Sequence, residues 1–115
     1  MPYEISRSRL RTGDLRHQVQ ILAPTIATNT VGESVPTWDR LIATVWASVE
    51  DLSGRELEAA QRRVSDVTSR ITIRYRRGIR EMYRITWGKR TFDIKAPLDT
   101  AGTRQWLELL CVEVK

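Results

Sequence analysis

The chain has 115 residues, with 19 Lys or Arg, 14 Asp or Glu, one His and one Cys, for a formal net charge of +5. That length holds one hydrophobic core, and its 41% hydrophobic and 29% charged content is that of a globular chain rather than a disordered one. A single cysteine, Cys111, excludes an intramolecular disulfide and a Cys-based zinc cluster, and no apolar run approaches the roughly 18 residues of a membrane-spanning helix.

In chain order, residues 1–12 are polar and basic without a clean period and read as a basic N-terminal arm. They lack the apolar stretch of a secretory signal, so the protein is expected to stay where it is made. Residues 13–115 read as a single domain. Leu15, His17, Val19 and Ile21 alternate with Arg16, Gln18 and Gln20, a period-two strand ending near Pro24. Residues 23–37 are rich in Thr, Asn, Gly, Ser and Pro and carry no stripe. They predict a long connection or wide hairpin turning at Asn29 to Gly32 that orders against a neighbour. Trp38 to Glu50 is the longest β-like stretch. Val45, Ala47 and Val49 oppose Trp46 and Ser48, so both faces need cover.

Ser53 with Glu56 three residues later spells a capping box. Leu57, Ala60, Gln61 and Val64 follow at helical spacing, predicting a helix of about three turns whose narrow apolar stripe must dock. The remainder is β again. Ile71, Ile73 and Tyr75 alternate with Thr72, Arg74 and Arg76, and Tyr83, Ile85 and Trp87 alternate with Arg84 and Thr86. After a tight Gly88-Lys89 turn, Phe92, Ile94 and Ala96 continue an inward face. Trp106 to Val114 is a last strand with apolar residues on both faces. The fold class expected is mainly β: a small antiparallel β-barrel or rolled sheet of five to six strands, with one short inserted helix and long flexible loops.

The charge is unevenly spread. Residues 70–90 hold eight basic side chains against Glu81 alone, a local charge of +7 that leaves the rest of the chain at −2. Such a segment attracts polyanions. Aromatic residues and arginines alternate along these strands and so face opposite sides of the sheet, which suits sequence-independent contact with duplex phosphates better than base stacking. The candidate basic patch, facing DNA or an acidic partner, is Arg74, Arg76, Arg77, Arg80, Arg84, Lys89 and Arg90. Of the four tryptophans, Trp46 and Trp106 fall opposite the regular apolar faces. Together with Leu57 and Val64 on the helix they are the candidate protomer interface.

Catalytic chemistry finds no material here. His17 lies on the apolar side of its strand with no nucleophile or carboxylate patterned beside it, and reads as a structural or interface histidine. Cys111 reads as a small buried hydrophobe. Glu56 and Glu58 point to different helix faces. No phosphate-binding loop, dinucleotide fingerprint or two-His motif occurs, and neither cofactor nor metal is expected.

Several blocks together resemble the bacteriophage head–tail joining family. Leu15-Arg16-His17-Gln18-Val19-Gln20-Ile21 is similar to its opening. Thr44-Val45-Trp46-Ala47-Ser48-Val49-Glu50 with Leu52-Ser53-Gly54-Arg55-Glu56 is similar to its second block. Ile71-Thr72-Ile73-Arg74-Tyr75-Arg76, Gly88-Lys89-Arg90-Thr91-Phe92-Asp93-Ile94 and Leu107-Glu108-Leu109-Leu110-Cys111-Val112-Glu113 resemble the remainder, in order, from about residue 13 onward. The resemblance implies a head-closure, stopper or adaptor protein in the neck of the virion. It implies a homo-oligomeric ring below the portal that retains packaged DNA and offers a platform to the tail. The partners implied are the portal or adaptor protein of the head, a tail completion or tail protein, and non-specific duplex DNA in the channel. No membrane is involved, and assembly is expected in the bacterial host cytoplasm. The rival reading of the same basic segment is a small OB-like nucleic-acid-binding module.

Overall fold

Period-two alternation dominates the chain, and the computed structural model, which describes residues 12–99, 102 and 104–114, closes it into a six-stranded barrel. A short 3-10 turn, Thr12–Asp14, precedes β1 (His17–Thr28) and β2 (Ser34–Asp51). The helix α1 (Gly54–Gln61) follows, then β3 (Ser69–Arg74), β4 (Arg84–Trp87), β5 (Arg90–Asp99) and β6 (Trp106–Val114). The strand order around the barrel is β1-β2-β3-β6-β5-β4, with every pair antiparallel. Closure gives every strand a neighbour on both sides over part of its length, which removes much of the template for unwanted pairing. The basic arm expected at residues 1–12 lies outside the described residues apart from the backbone of Thr12.

The interior is filled from all six strands. Val19, Ile21, Ala47, Ile71, Ile73, Ile85, Phe92, Ile94, Leu107, Leu109 and Cys111 form one buried cluster, with Ile79 joining from the β3–β4 loop. Burial of this many branched side chains, each stabilising by about 1.5–3 kcal/mol, is the main favourable contribution to the fold. Cys111 is fully buried, as expected of a small hydrophobe, and burial pushes its thiol far above the usual range.

The second apolar face of β6 is covered by the chain itself. Leu110 points outward into a second cluster with Leu52, Ala60 and Val67, against which Leu57, Val64, Ala96 and Leu98 pack. Thus α1 lies on the outer wall. The segment after it is fastened by the Thr68 N–H donating to the Cys111 carbonyl and the Glu113 N–H donating to Thr68 Oγ1.

Of three sequence expectations, one is resolved and two need correction. First, residues 23–37 form the wide hairpin and are mostly strand: β1 continues to Thr28, β2 begins at Ser34, and the pairs Thr25–Thr37, Ile26–Pro36, Ala27–Val35 and Thr28–Ser34 make a two-stranded ribbon. The turn does fall at Asn29 to Gly32. The Asn29 side-chain oxygen accepts from the Val31 and Glu33 amides at 3.0 and 2.9 Å, and Gly32 takes φ +86°, a conformation glycine reaches without strain. Second, the helix stops at Gln61 and gives way to turns before Val64. Third, no capping box forms. Ser53 is extended without a side-chain cap bond, and Glu56 instead approaches Arg70 on β3 at 3.6 Å. Arg70 is buried under α1 and bonded to Glu50 at 2.7 Å, so its charge recruits both carboxylates.

Candidate functional site

Antiparallel pairing fixes which loops meet. The starts of β1, β3 and β5 and the ends of β2, β4 and β6 share one end of the barrel. The β1–β2 ribbon, the β3–β4 loop and the β5–β6 loop share the other.

The first end is plugged by polar groups. Arg90 donates from Nε and Nη2 to the two carboxylate oxygens of Glu113, each at 2.8 Å, and from Nη2 to Asp51 at 2.8 Å. Its guanidinium lies 5.0 Å from the Phe92 ring centroid and 5.8 Å from that of Trp87. The His17 ring packs against Trp87 with centroids 4.3 Å apart and planes tilted by 44°, and the Ser69 hydroxyl donates to Asp51 at 3.3 Å. The hydrogen bond from Arg90 holds the Asp51 carboxyl below its ordinary 3.8, more than offsetting the opposing effect of burial. The two carboxylates raise the Arg90 pKa, so the plug stays ionised. His17 is thus a packing residue of this end.

The opposite end projects. The molecule is 51 Å long and 27 Å across in its two short dimensions. β4 pairs with β1 only at Gln20 to Leu22, and the ribbon beyond adds about 20 Å of extended chain. In β2, registry slips insert an extra residue at Ile42 and another near Asp39. Such bulges bend a strand, and here the bent ribbon leans on the β3–β4 loop. The Trp38 indole N–H donates to the Met82 carbonyl at 2.8 Å, and the Arg84 guanidinium lies 3.5 Å from the Trp38 ring centroid. Met82 takes φ 74°, a left-handed conformation unusual for a side chain of its size. Its amide is held by the Ile94 carbonyl. Beyond this brace the tip exposes Ile26 (61%) and Val31 (73%), with Val35 beside them.

The β3–β4 loop presents arginines next to that ribbon. Ile79 is buried in the barrel core, and Tyr75 and Tyr83 pack against it, so the loop's apolar residues point in. Arg76, Arg77 and Arg80 point out and have no carboxylate partner among the described residues. Nearby, Leu15, Val45, Trp46, Arg74, Tyr75 and Arg76 line an open groove of about 560 Å³, with Trp46 57% exposed.

The candidate residues from the sequence therefore divide. Arg74, Arg76, Arg77, Arg80 and Arg84 sit at the ribbon end, whereas Lys89 and Arg90 belong to the plugged end. Arg84 is bonded to Asp93 at 2.6 Å, and Arg74 lies 5.7 Å from the Trp106 ring centroid on the next strand. The pairing carboxylates Glu50, Asp93 and Glu113 are distant in sequence or just beyond the basic run, which a local charge count misses. Trp46 is exposed. Trp106 is half-buried, and Leu57 and Val64 are half-buried against the chain's own second cluster. Sequence reasoning marks the segment 23–37 as one that orders against a neighbour but singles out none of its tip residues, and it misses the Trp38 brace. The β-branched content of Thr25, Ile26, Thr28, Thr30, Val31, Val35 and Thr37 was the available signal. Among the described residues no helix is long and apolar enough to cross a membrane, and no cluster of three metal-ligating side chains occurs.

Comparison with known proteins identifies the architecture. The family model described as phage head completion protein matches residues 10–114. The solution structure of protein SF1141 from Shigella flexneri 2a is 31% identical, with 90% of this chain and 96% of that chain aligned and a TM-score of 0.67. A chain from the virion of a native gene transfer agent particle shares the fold at 20% identity, covering 92% and 98% with a TM-score of 0.60. No curated protein is significantly similar. With a match that spans all but the first nine residues and the last, this barrel belongs to the phage head completion protein family, whose role is structural, in the phage head.

Proposed function

We propose that the chain assembles as a ring below the portal of a phage or prophage head, retains the packaged DNA and offers the tail its platform. The observation that carries this reading is the shared end of the barrel: a braced ribbon with an apolar tip stands beside the outward arginines Arg76, Arg77 and Arg80. A ring around exiting DNA needs a basic rim without base readout and apolar contacts between protomers. Family membership and the likeness to a chain of a gene transfer agent virion support a place in the particle. The neighbours that fit are the portal or adaptor on one side and a tail completion protein on the other, with assembly in the host cytoplasm.

Electron microscopy of the purified protein, alone and mixed with portal complex, tests the ring. Annular density on the portal is expected, and a protein that never joins portal or heads refutes the reading. Arg76→Glu with Arg77→Glu and Arg80→Glu is expected to yield heads that lose DNA or fail to take tails. Normal particles from that variant would remove the basic loop from the function. The seven basic positions nominated from the sequence enter this proposal unequally: Lys89 and Arg90 lie at the far end, where Arg90 is held by Asp51 and Glu113.

A further inference from the structure

We propose that the ribbon tip of one copy docks in the Trp46 groove of the next, so that residues around Val31 and Val35 are the male half, and Leu15, Val45, Trp46 and Arg76 the female half, of a head-to-tail interface. The inference deepens the ring reading and rests on it for its setting.

Three observations select a second copy as the occupant. The groove is apolar at Leu15, Val45 and Trp46 and positively charged at its Arg76 rim. The tip matches both properties: Ile26, Val31 and Val35 are exposed, and Glu33 is the one charged residue between 25 and 37. The tip is also pre-shaped. The Asn29 side chain clamps the turn through two backbone amides, so little ordering remains to be done on binding. Finally, a chain cannot fill its own groove. Val35 and Trp46 lie on the same strand opposite Ala27 and Gln18, which are nine residues and about 30 Å of extended backbone apart. Each copy therefore offers one tip and accepts another, which is the heterologous arrangement that generates rings when the rotation closes. An exposed Trp flanked by Arg is the composition that dominates interface energetics.

The test uses the full chain with single cysteines placed beside, not within, the two halves. Thr30→Cys marks the turn, and Gln18→Cys lies opposite Trp46 in the β1–β2 register. Both positions are exposed, and the native Cys111 is buried and stays out of the reaction. Mixing the two variants with oxidised glutathione is expected to give the mixed dimer in about tenfold excess over either homodimer, since docking raises the effective concentration of that pair. A statistical mixture overturns the docking. Trp46→Ala or Arg76→Glu in the Gln18→Cys chain is expected to abolish the excess. Glu33→Arg in the Thr30→Cys chain is expected to restore it against Arg76→Glu. An excess indifferent to all three changes also overturns the proposal. Statistical coupling by a protein that still rings the portal removes only this interface, whereas selective coupling by a protein absent from heads supports the interface and removes only the ring reading.

Discussion

At the end of the barrel where β2, β4 and β6 finish, Arg90, Asp51, Glu113, Trp87 and His17 close on one another; at the opposite end the ribbon and the β3–β4 loop turn apolar side chains and arginines outward. The same residue types serve opposite ends. Arg90 has two carboxylates and two ring faces and is spent within the chain, whereas Arg76, Arg77 and Arg80 have no carboxylate partner among the described residues. Trp87 is packed and Trp46 is presented. The lesson is that charge and aromatic content become function only where the fold leaves them unspent.

The comparison can be broken most severely in the barrel that joins the two ends. Phe92→Ala removes the largest fully buried ring beneath Arg90 and is expected to cost about 3–5 kcal/mol, read as a lower midpoint in denaturant unfolding. Arg90→Met leaves Asp51 and Glu113 facing each other without their cation. A loss of about 1–2 kcal/mol is expected by the same measurement, limited because these groups are partly in water. Trp38→Ala deletes the brace and is expected to speed hydrogen exchange in the ribbon amides by about tenfold, an effect of about 1.4 kcal/mol confined to that end, while barrel amides stay protected.

Acid sharpens the contrast further. The folded Asp51 carboxyl titrates below its ordinary 3.8, so its contribution is present above that value and is lost as pH falls through the lower, folded value. Between Arg90→Met and the parent chain, this part of the acid limb is expected to disappear in the variant. The effect is small because the carboxylate is largely exposed. Smallest of all in stability, Ile26→Ser with Val35→Ser at the ribbon is expected to change the unfolding free energy by less than about 0.5 kcal/mol, yet to lower incorporation into heads. Unchanged incorporation would take the tip out of the function.

Much of the barrel was legible in the residues themselves. The alternation of Val19 and Ile21, Ile71 and Ile73, and Phe92 and Ile94 predicts strands and their inward faces because side chains on a strand alternate sides regardless of neighbours. Cys111 was readable as a core residue for the same reason. The outward course of the arginines relative to Tyr75 and Tyr83 follows from that alternation too. The turn of the ribbon at Asn29 to Gly32 is legible, but the length of its two strands is not, because Pro24, Asn29, Gly32 and Pro36 punctuate it and its faces are exposed on both sides, which erases the apolar stripe that marks a strand.

What composition and spacing determined was therefore the mainly β class of the protein, the inward faces of its strands and the surplus of positive charge around residues 70–90. Which arginines keep that charge was decided only by tertiary structure. Glu50, Asp93 and Glu113 reach Arg70, Arg84 and Arg90 across strand pairs, and Glu56 leaves its expected cap to join them. Strand registry brings those partners together from residues 9 to 23 positions apart, whereas a pattern read along the chain senses only the next few residues.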